Sequence, residues 1–237
     1  MTVYTFDNND YDFYDCIGSI YKNKYKELNS LENIHKLLQS SDLKDEDKEY
    51  YKTIPIFGKT DRKSVFVKDF YNHWDTDYTY TKLYIDFIVK YVKPLFPKED
   101  KIYVQKTPNI RFHLPGCTNI GRRPTDPSPN IIGMHSDNEF GHPSEEINLI
   151  IPITEMYNSN SLFYDSDKGF TDLKLNRNEF ALLNLNKLKH YNCINSTSIT
   201  RVSFDTRIIP YSKYSGSLQN SATSNLKFVL GEYYMLI

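Results

Sequence analysis

From residue 201 the chain reads Arg-Val-Ser-Phe-Asp-Thr-Arg-Ile, and this run limits its folding more tightly than any other stretch. Side chains of an extended strand point alternately to opposite faces, so Arg201, Ser203, Asp205 and Arg207 share one side and Val202, Phe204, Thr206 and Ile208 the other. The apolar side needs a core. The charged side needs either water or a polar cavity.

The chain around this strand reads as more of the same from residue 101 onward. Residues 102–105 form one strand and 109–114 another, with Ile110, Phe112 and Leu114 alternating against Asn109, Arg111 and His113. Residues 146–153 are largely apolar with Glu146 and Asn148 on one side, and 161–165 and 180–185 add two more strands. The loop 115–130, PGCTNIGRRPTDPSPN, is rich in Pro, Gly and Ser and leads straight into His135, as a lid would. Upstream the pattern differs. Residues 14–28 and 79–92 read as helices, the second with Leu83, Phe87, Ile88 and Tyr91 at helical spacing and closed by Pro94 and Pro97. Ser30 caps a short helix, 40–52 is a charged surface run, and Val65-Phe66-Val67 reads as a short strand. Short strands with turn signals between them predict a mainly β fold, a jelly roll or barrel with buttressing helices. The expected organisation is one domain over 1–237: a helical or irregular buttress at 1–100, a jelly-roll core at 101–210, and at 211–237 a Ser- and Asn-rich loop with a possible last strand at 228–230.

Composition narrows the classes. Across 237 residues the net charge is −1, with Lys and Asp or Glu interspersed, so a general nucleic-acid or acidic-membrane binder is not expected and a small molecule is the expected partner. Three scattered cysteines, Cys16, Cys117 and Cys193, suit a reducing compartment, hence the cytoplasm, better than a disulfide framework. The polar opening, MTVYTFDNNDYDFYD, does not read as a secretory signal, and no stretch is apolar for long enough to span a bilayer. Oligomeric state is not legible.

The candidate site is dispersed. His135 and Asp137 follow the apolar run 131–134, and if the chain stays extended there the imidazole and the carboxylate fall on one face. His190 lies further on. Two imidazoles and one carboxylate with open positions are the donor set of mononuclear non-haem iron sites. Singly, each of the three also reads as an ordinary loop or surface residue.

Taken together, HSD at 135–137, GHPSEEINLIIPIT at 141–154, NSLFYDSD at 160–167 and HYNCINSTSITRVSFDTRIIP at 190–210 resemble the double-stranded β-helix (cupin-like) core of Fe(II)- and 2-oxoglutarate-dependent dioxygenases. Within that superfamily they look most like the streptomycin-biosynthesis-type, phytanoyl-hydroxylase-like subgroup. The resemblance spans 105–210, and the first hundred residues add nothing to it. It implies that His135, Asp137 and His190 hold Fe(II), leaving sites for 2-oxoglutarate and O2. It also implies that Arg201, helped by Ser203, grips the distal carboxylate of 2-oxoglutarate, a task that suits an always-charged bidentate donor. The implied reaction is hydroxylation or another oxidation of a small polar substrate, such as an amino acid, sugar or secondary metabolite, with 2-oxoglutarate decarboxylated to succinate.

Other residues keep two readings each. Asn148 either hydrogen-bonds 2-oxoglutarate or holds a metal ligand in place. Arg207 meets a substrate carboxylate or pairs with Asp205. Arg201 taken alone also reads as a surface-strand arginine, while Arg111, which with His113 points away from the apolar face of its strand, is a candidate to reach substrate or cosubstrate or does neither. His142, five residues past Asp137, reads as a loop residue near the mouth, within reach of substrate, rather than as a further metal ligand, and Arg122-Arg123 either draw in an anionic substrate or form a solvated loop pair. At the level of the whole chain, the rival is a non-catalytic cupin-like ligand-binding module. A zinc hydrolase would use the same donors but leaves Arg201 and Ser203 without a role.

Overall fold

The computed structural model describes residues 1–54, 60–217, 219–221 and 224–237. Strand β1 (Thr2–Thr5) precedes helix α1 (Phe13–Lys24), which begins where the Asp12 carboxylate accepts from the Asp15 N–H. A 3-10 segment, Leu31–Gln39, is followed by α2 (Asp45–Thr53), α3 (Val65–Thr76) and α4 (Tyr78–Phe87), the last running on into a π-helical turn, Ile88–Val92. Residues 65–67, expected as a strand, open α3 instead. The Ser64 hydroxyl accepts from the Val67 N–H, and Phe66, Val67 and Phe70 enter the core. Strand propensity is a weak preference, and a cap followed by an apolar face at helical spacing overrides it. The charged run at 40–52 contributes the surface helix α2, whose buried residue is Tyr51.

The remaining strands are β2 (Ile102–Gln105), β3 (Asn109–His113), β4 (Ile132–His135), β5 (Ile147–Pro152), β6 (Phe163–Ser166), β7 (Gly169–Asp172), β8 (Glu179–Leu183), β9 (His190–Asn192), β10 (Arg201–Pro210) and β11 (Tyr234–Leu236). They form two antiparallel sheets. The larger has the order β1-β8-β5-β10-β2-β11, with β3 also on β10; the smaller has the order β4-β9-β6-β7. Because β2 pairs with Ile208–Pro210 and β3 with residues 201–205 on the same edge of β10, the two are one strand interrupted at 106–108. Pro108, which has no N–H to donate, lies in that break. The chain passes back and forth between the sheets from β3 to β10, which is the winding of a jelly roll, or double-stranded β-helix. The fold class therefore agrees with the sequence reading. The tail does return as a strand, but at Tyr234–Leu236 on β2 rather than at 228–230, and positions 218, 222 and 223 of the tail lie outside the described residues.

One face of the large sheet carries the helices. Val202, Phe204 and Ile208 of β10 share a core with Phe13 of α1, Phe70 of α3 and Phe87 of α4, and the Phe204 ring lies 5.8 Å from Phe13 and 5.5 Å from Phe70. The Tyr84 hydroxyl meets Thr206 Oγ1 at 2.7 Å, tying α4 to the same strand. A second apolar cluster, including Ile150, Met156, Leu162 and Leu185, fills part of the space between the sheets. Arg201, Ser203, Asp205 and Arg207 therefore point into that space. Arg201 is only 3% exposed, so of the two environments the alternation allowed, the polar cavity is the one present. Among the described residues no helix is long and apolar enough to cross a membrane.

Candidate functional site

Strands β4 and β9 pair so that His135 and His190 stand directly opposite each other, with ring centroids 4.2 Å apart. Each imidazole is turned by a backbone carbonyl of its own strand or approach. His135 Nδ1–H donates to the Gly133 carbonyl at 2.6 Å and His190 Nδ1–H to the Leu188 carbonyl at 3.2 Å. A carbonyl only accepts, so both Nε2 atoms carry lone pairs, and each lies 3.6 Å from Asp137 Oδ1. Gly133 makes the bend that starts this: its φ is +69°, and the β4–β9 register shifts between Ile132 and His135.

Asp137 does not continue the strand. It begins a 3-10 turn, Asp137–Phe140, and the turn rather than strand periodicity brings its carboxylate beside His135. Three ties fix that turn. Ser136 N–H donates to Glu139 Oε1 at 2.8 Å, Glu139 pairs with Lys189, and Asp137 N–H donates to the Leu185 carbonyl at 2.9 Å. The last two reach the segment that leads into His190, which is how residues 53 positions apart in the chain come to share a site. The candidate ligand atoms of His135, Asp137 and His190 lie within 4.8 Å of one another. Ligands held at ~2.1 Å from a first-row metal stand ~3 Å apart when adjacent, so the 3.6 Å spacings need only a small closure.

The other carboxylate oxygen is held from behind. Asn148 Nδ2 donates to Asp137 Oδ2 at 2.8 Å, and Arg207 Nη2 donates to the same atom at 2.8 Å. Burial pushes the Asp137 carboxyl up, but the Arg207 guanidinium beside it pulls harder and holds it well below the usual carboxylate range. Burial, with His135 alongside, pushes His190 down to about 4 against the pull of Asp137, so its imidazole is neutral and ready to ligate. Asn148 also accepts from the Leu185 N–H at 3.1 Å, so both ends of its amide are hydrogen-bonded, one of them to Asp137. Arg207 likewise makes the foreseen pair with Asp205 as well as the one with Asp137. His142 is outside the ligand group, its Nδ1 2.7 Å from Glu146 Oε2, and Glu146 is also bonded by the Tyr234 hydroxyl.

Two cavities meet at His135 and Asp137. The inner one, about 80 Å³, lies between the sheets and is lined by the triad, Arg201, Ser203 and the apolar Ile150, Met156, Leu162 and Leu185. Arg111 reaches both cavities, and its Nη1 donates to Asp61 Oδ1 at 3.1 Å. Arg201 is the anomaly. Among the described residues ion pairs hold Arg111 and Arg207 and none holds Arg201, whose Nε is buried without a hydrogen-bond partner. Burial pushes its guanidinium down to about 10. The outer cavity, about 330 Å³, is walled by Arg122 and Arg123 of the 115–130 loop together with Phe140, His142 and Tyr233.

Sequence reasoning missed Asp61, which accepts from the Phe112 N–H at 3.0 Å as well as from Arg111. It comes from the stretch assigned only a buttressing role, and no motif marks it. Glu146 and Tyr234 were missed as well, although Glu146 shares the two-residue period of Asn148 and could have been found that way.

No protein-family model matches the chain. Over 135 residues it is 30% identical to the streptomycin biosynthesis protein StrG of Streptomyces griseus, a match that covers 57% of this chain and 60% of that protein. The subgroup resemblance read from the motifs agrees with this relative. Solved structures similar to the fold include apo ThoJ, a non-heme monooxygenase (10% identity, 87% of this chain and 71% of that one, TM-score 0.43). Another is HygX from Streptomyces hygroscopicus with nickel and 2-oxoglutarate bound (9% identity, 77% and 93%, TM-score 0.35).

Proposed function

We propose that this chain is a mononuclear iron(II)- and 2-oxoglutarate-dependent oxygenase that hydroxylates, or otherwise oxidises at carbon, a small polar molecule. The observation that carries the reading is Arg201, a buried guanidinium that has no counter-ion among the described residues, in the cavity that His135, Asp137 and His190 also line. A buried charge left alone is costly, and a dicarboxylic cosubstrate reaching from the metal supplies the missing partner. The donor set fits the metal as well: two imidazoles with their Nε2 atoms turned toward one carboxylate, and the cavity side open.

Bound there, iron(II) and 2-oxoglutarate would supply the oxidation, in which O2 is consumed, the cosubstrate becomes succinate and carbon dioxide, and one oxygen atom goes to the substrate. The chain's own residues do the rest. His135, Asp137 and His190 would hold the metal, and Asn148 and Arg207 fix which carboxylate oxygen faces it. Arg201 would grip the far carboxylate with two parallel N–H donors, and the Ser203 hydroxyl would add a third. Ile150, Met156, Leu162 and Leu185 keep that cavity apolar elsewhere, which strengthens the ion pair by excluding water. The name of the StrG relative supports a substrate from the synthesis of a secondary metabolite.

Incubated in air with Fe(II), 2-oxoglutarate and a panel of amino acids, sugars and sugar phosphates, the wild type should release succinate and the His135→Ala variant none. No succinate with any member of the panel overturns the reading.

A further inference from the structure

The outer cavity is strongly cationic in a chain whose net charge is −1. Five of its lining residues are arginines, Arg62, Arg111, Arg122, Arg123 and Arg207, and its one carboxylate is Asp137, already committed to the triad. Arg207 pairs with Asp137, and Arg111 with the buried Asp61, which is not among the lining residues. Among the described residues, Arg62, Arg122 and Arg123 have no acidic partner within ion-pairing distance. Each is instead steadied by a neutral group that leaves most of its guanidinium free. Arg62 Nη2 donates to Asn109 Oδ1 at 3.3 Å, Arg122 to the Pro129 carbonyl, and Arg123 Nη1 to the Met134 carbonyl at 3.4 Å. The acid nearest in sequence, Asp126, is consumed by the backbone N–H groups of Arg123, Gly133 and Met134.

Arg123 is also seated close to the reacting centre. Its guanidinium carbon lies 4.4 Å from the centroid of the Phe140 ring, and that ring meets His135 edge-on at 5.0 Å. A solvated loop pair would not be stacked on the ring that packs against a metal-ligating histidine. Phe140 and Tyr233 give the same cavity two aromatic walls for the body of a ligand.

We infer that the outer cavity takes a substrate bearing a phosphate ester, with Arg62, Arg122 and Arg123 around the phosphoryl group and the carbon to be oxidised toward His135 and Asp137. A monocarboxylate brings one negative charge to three unpaired guanidinium groups. A phosphate monoester brings ~1.5 to 2 negative charges and three strong acceptor oxygens, and planar guanidinium forks match it. This inference rests on the oxygenase reading for the word substrate, but the anion site itself does not.

The test is calorimetric titration of the full chain, loaded with Fe(II) and 2-oxoglutarate under nitrogen so that Arg201 is filled. The probe is phenyl phosphate, with phenol as the neutral control of the same body. Phenyl phosphate should bind at least tenfold more tightly than phenol. The Arg122→Gln/Arg123→Gln double variant should lose at least tenfold in phenyl phosphate affinity while keeping its 2-oxoglutarate affinity and unfolding midpoint. Equal binding of phenol, or a double variant that binds phenyl phosphate as the wild type does, overturns the inference while leaving the oxygenase reading intact. If the chain takes up neither Fe(II) nor 2-oxoglutarate, the same titration is run on the unloaded chain. Binding lost in the double variant then upholds the anion site, and binding retained, or absent from the start, overturns it.

Discussion

Arg201 and Arg207 occupy one face of one strand and have opposite surroundings: Arg207 is paired with Asp137 and Asp205, while Arg201 has no counter-ion among the described residues. Removing each should therefore have a different effect. Arg201→Ala should weaken 2-oxoglutarate binding by ~10- to 150-fold, the equivalent of ~1.5 to 3 kcal/mol for a charge-assisted bond, with iron affinity unchanged. Parallel titrations with the metal and with 2-oxoglutarate separate the two effects, and an equal loss of both would make Arg201 merely structural. Asn148→Leu removes the Nδ2 donor to Asp137 and should cost ~10- to 100-fold in iron affinity. The histidines give a pH signature. His113, buried beside Arg201, is pushed down to about 3, and His190 to about 4, whereas an unfolded imidazole titrates near ~6.5. Between these values the unfolded chain binds more protons, so the metal-free protein has its full stability above about pH 6.5 and loses it as the pH falls toward 4 and 3. The unfolding midpoint should fall across that window, less steeply in His113→Gln, and a midpoint that rises toward acid would contradict the assignment. That the triad, Arg201 and Ser203 line one cavity was legible from their order and residue types in the motifs. Asp61 was not, because a lone acid in a helical stretch carries no sign of the strand it will meet.

Among the elements, β10 joins the helical buttress to the cavity, and its two faces can be perturbed separately. Phe204→Ala, on the helix side, should cost ~3 to 5 kcal/mol of stability, measured by denaturant unfolding, while 2-oxoglutarate affinity at a temperature where the variant is folded stays near wild type. Loss of binding in step with stability would mean that the faces are not independent. Gly133→Ala acts on the other sheet. A Cβ there would approach the Ile120 side chain to 3.0 Å at a φ of +69°, so the bend that turns His135 should be disturbed and iron affinity should fall. The alternation of β10 was legible because its two sides are buried in chemically different surroundings, leaving a period of two in the sequence. The 65–67 segment was misread because three apolar residues carry no period, and the cap at Ser64 that decides for helix is one hydroxyl. The 3-10 turn at Asp137 was hidden for a similar reason: Glu139 and Lys189 fix it from 50 positions apart.

At the scale of the molecule, helices and large sheet share one core, so ligands at the triad should stabilise the whole. Fe(II) with 2-oxoglutarate at ~100 times the dissociation constant adds ~2.7 kcal/mol, which for a chain of this length raises the unfolding midpoint by ~5 to 10 °C, and a chelator should reverse the rise. The jelly-roll winding was expected from strand count and turn spacing, but the order of strands in each sheet was not, because pairing between distant segments leaves no local mark. The account as a whole stands on one site made from three separated side chains and one unpaired arginine. Anaerobic titration with Fe(II) and then 2-oxoglutarate, followed by visible absorption, tests it most directly. The expected result is a weak charge-transfer band that saturates at one equivalent of iron, requires 2-oxoglutarate, and is absent in His190→Ala. A wild-type chain that binds no iron, or a His190→Ala variant with an undiminished band, would contradict the account.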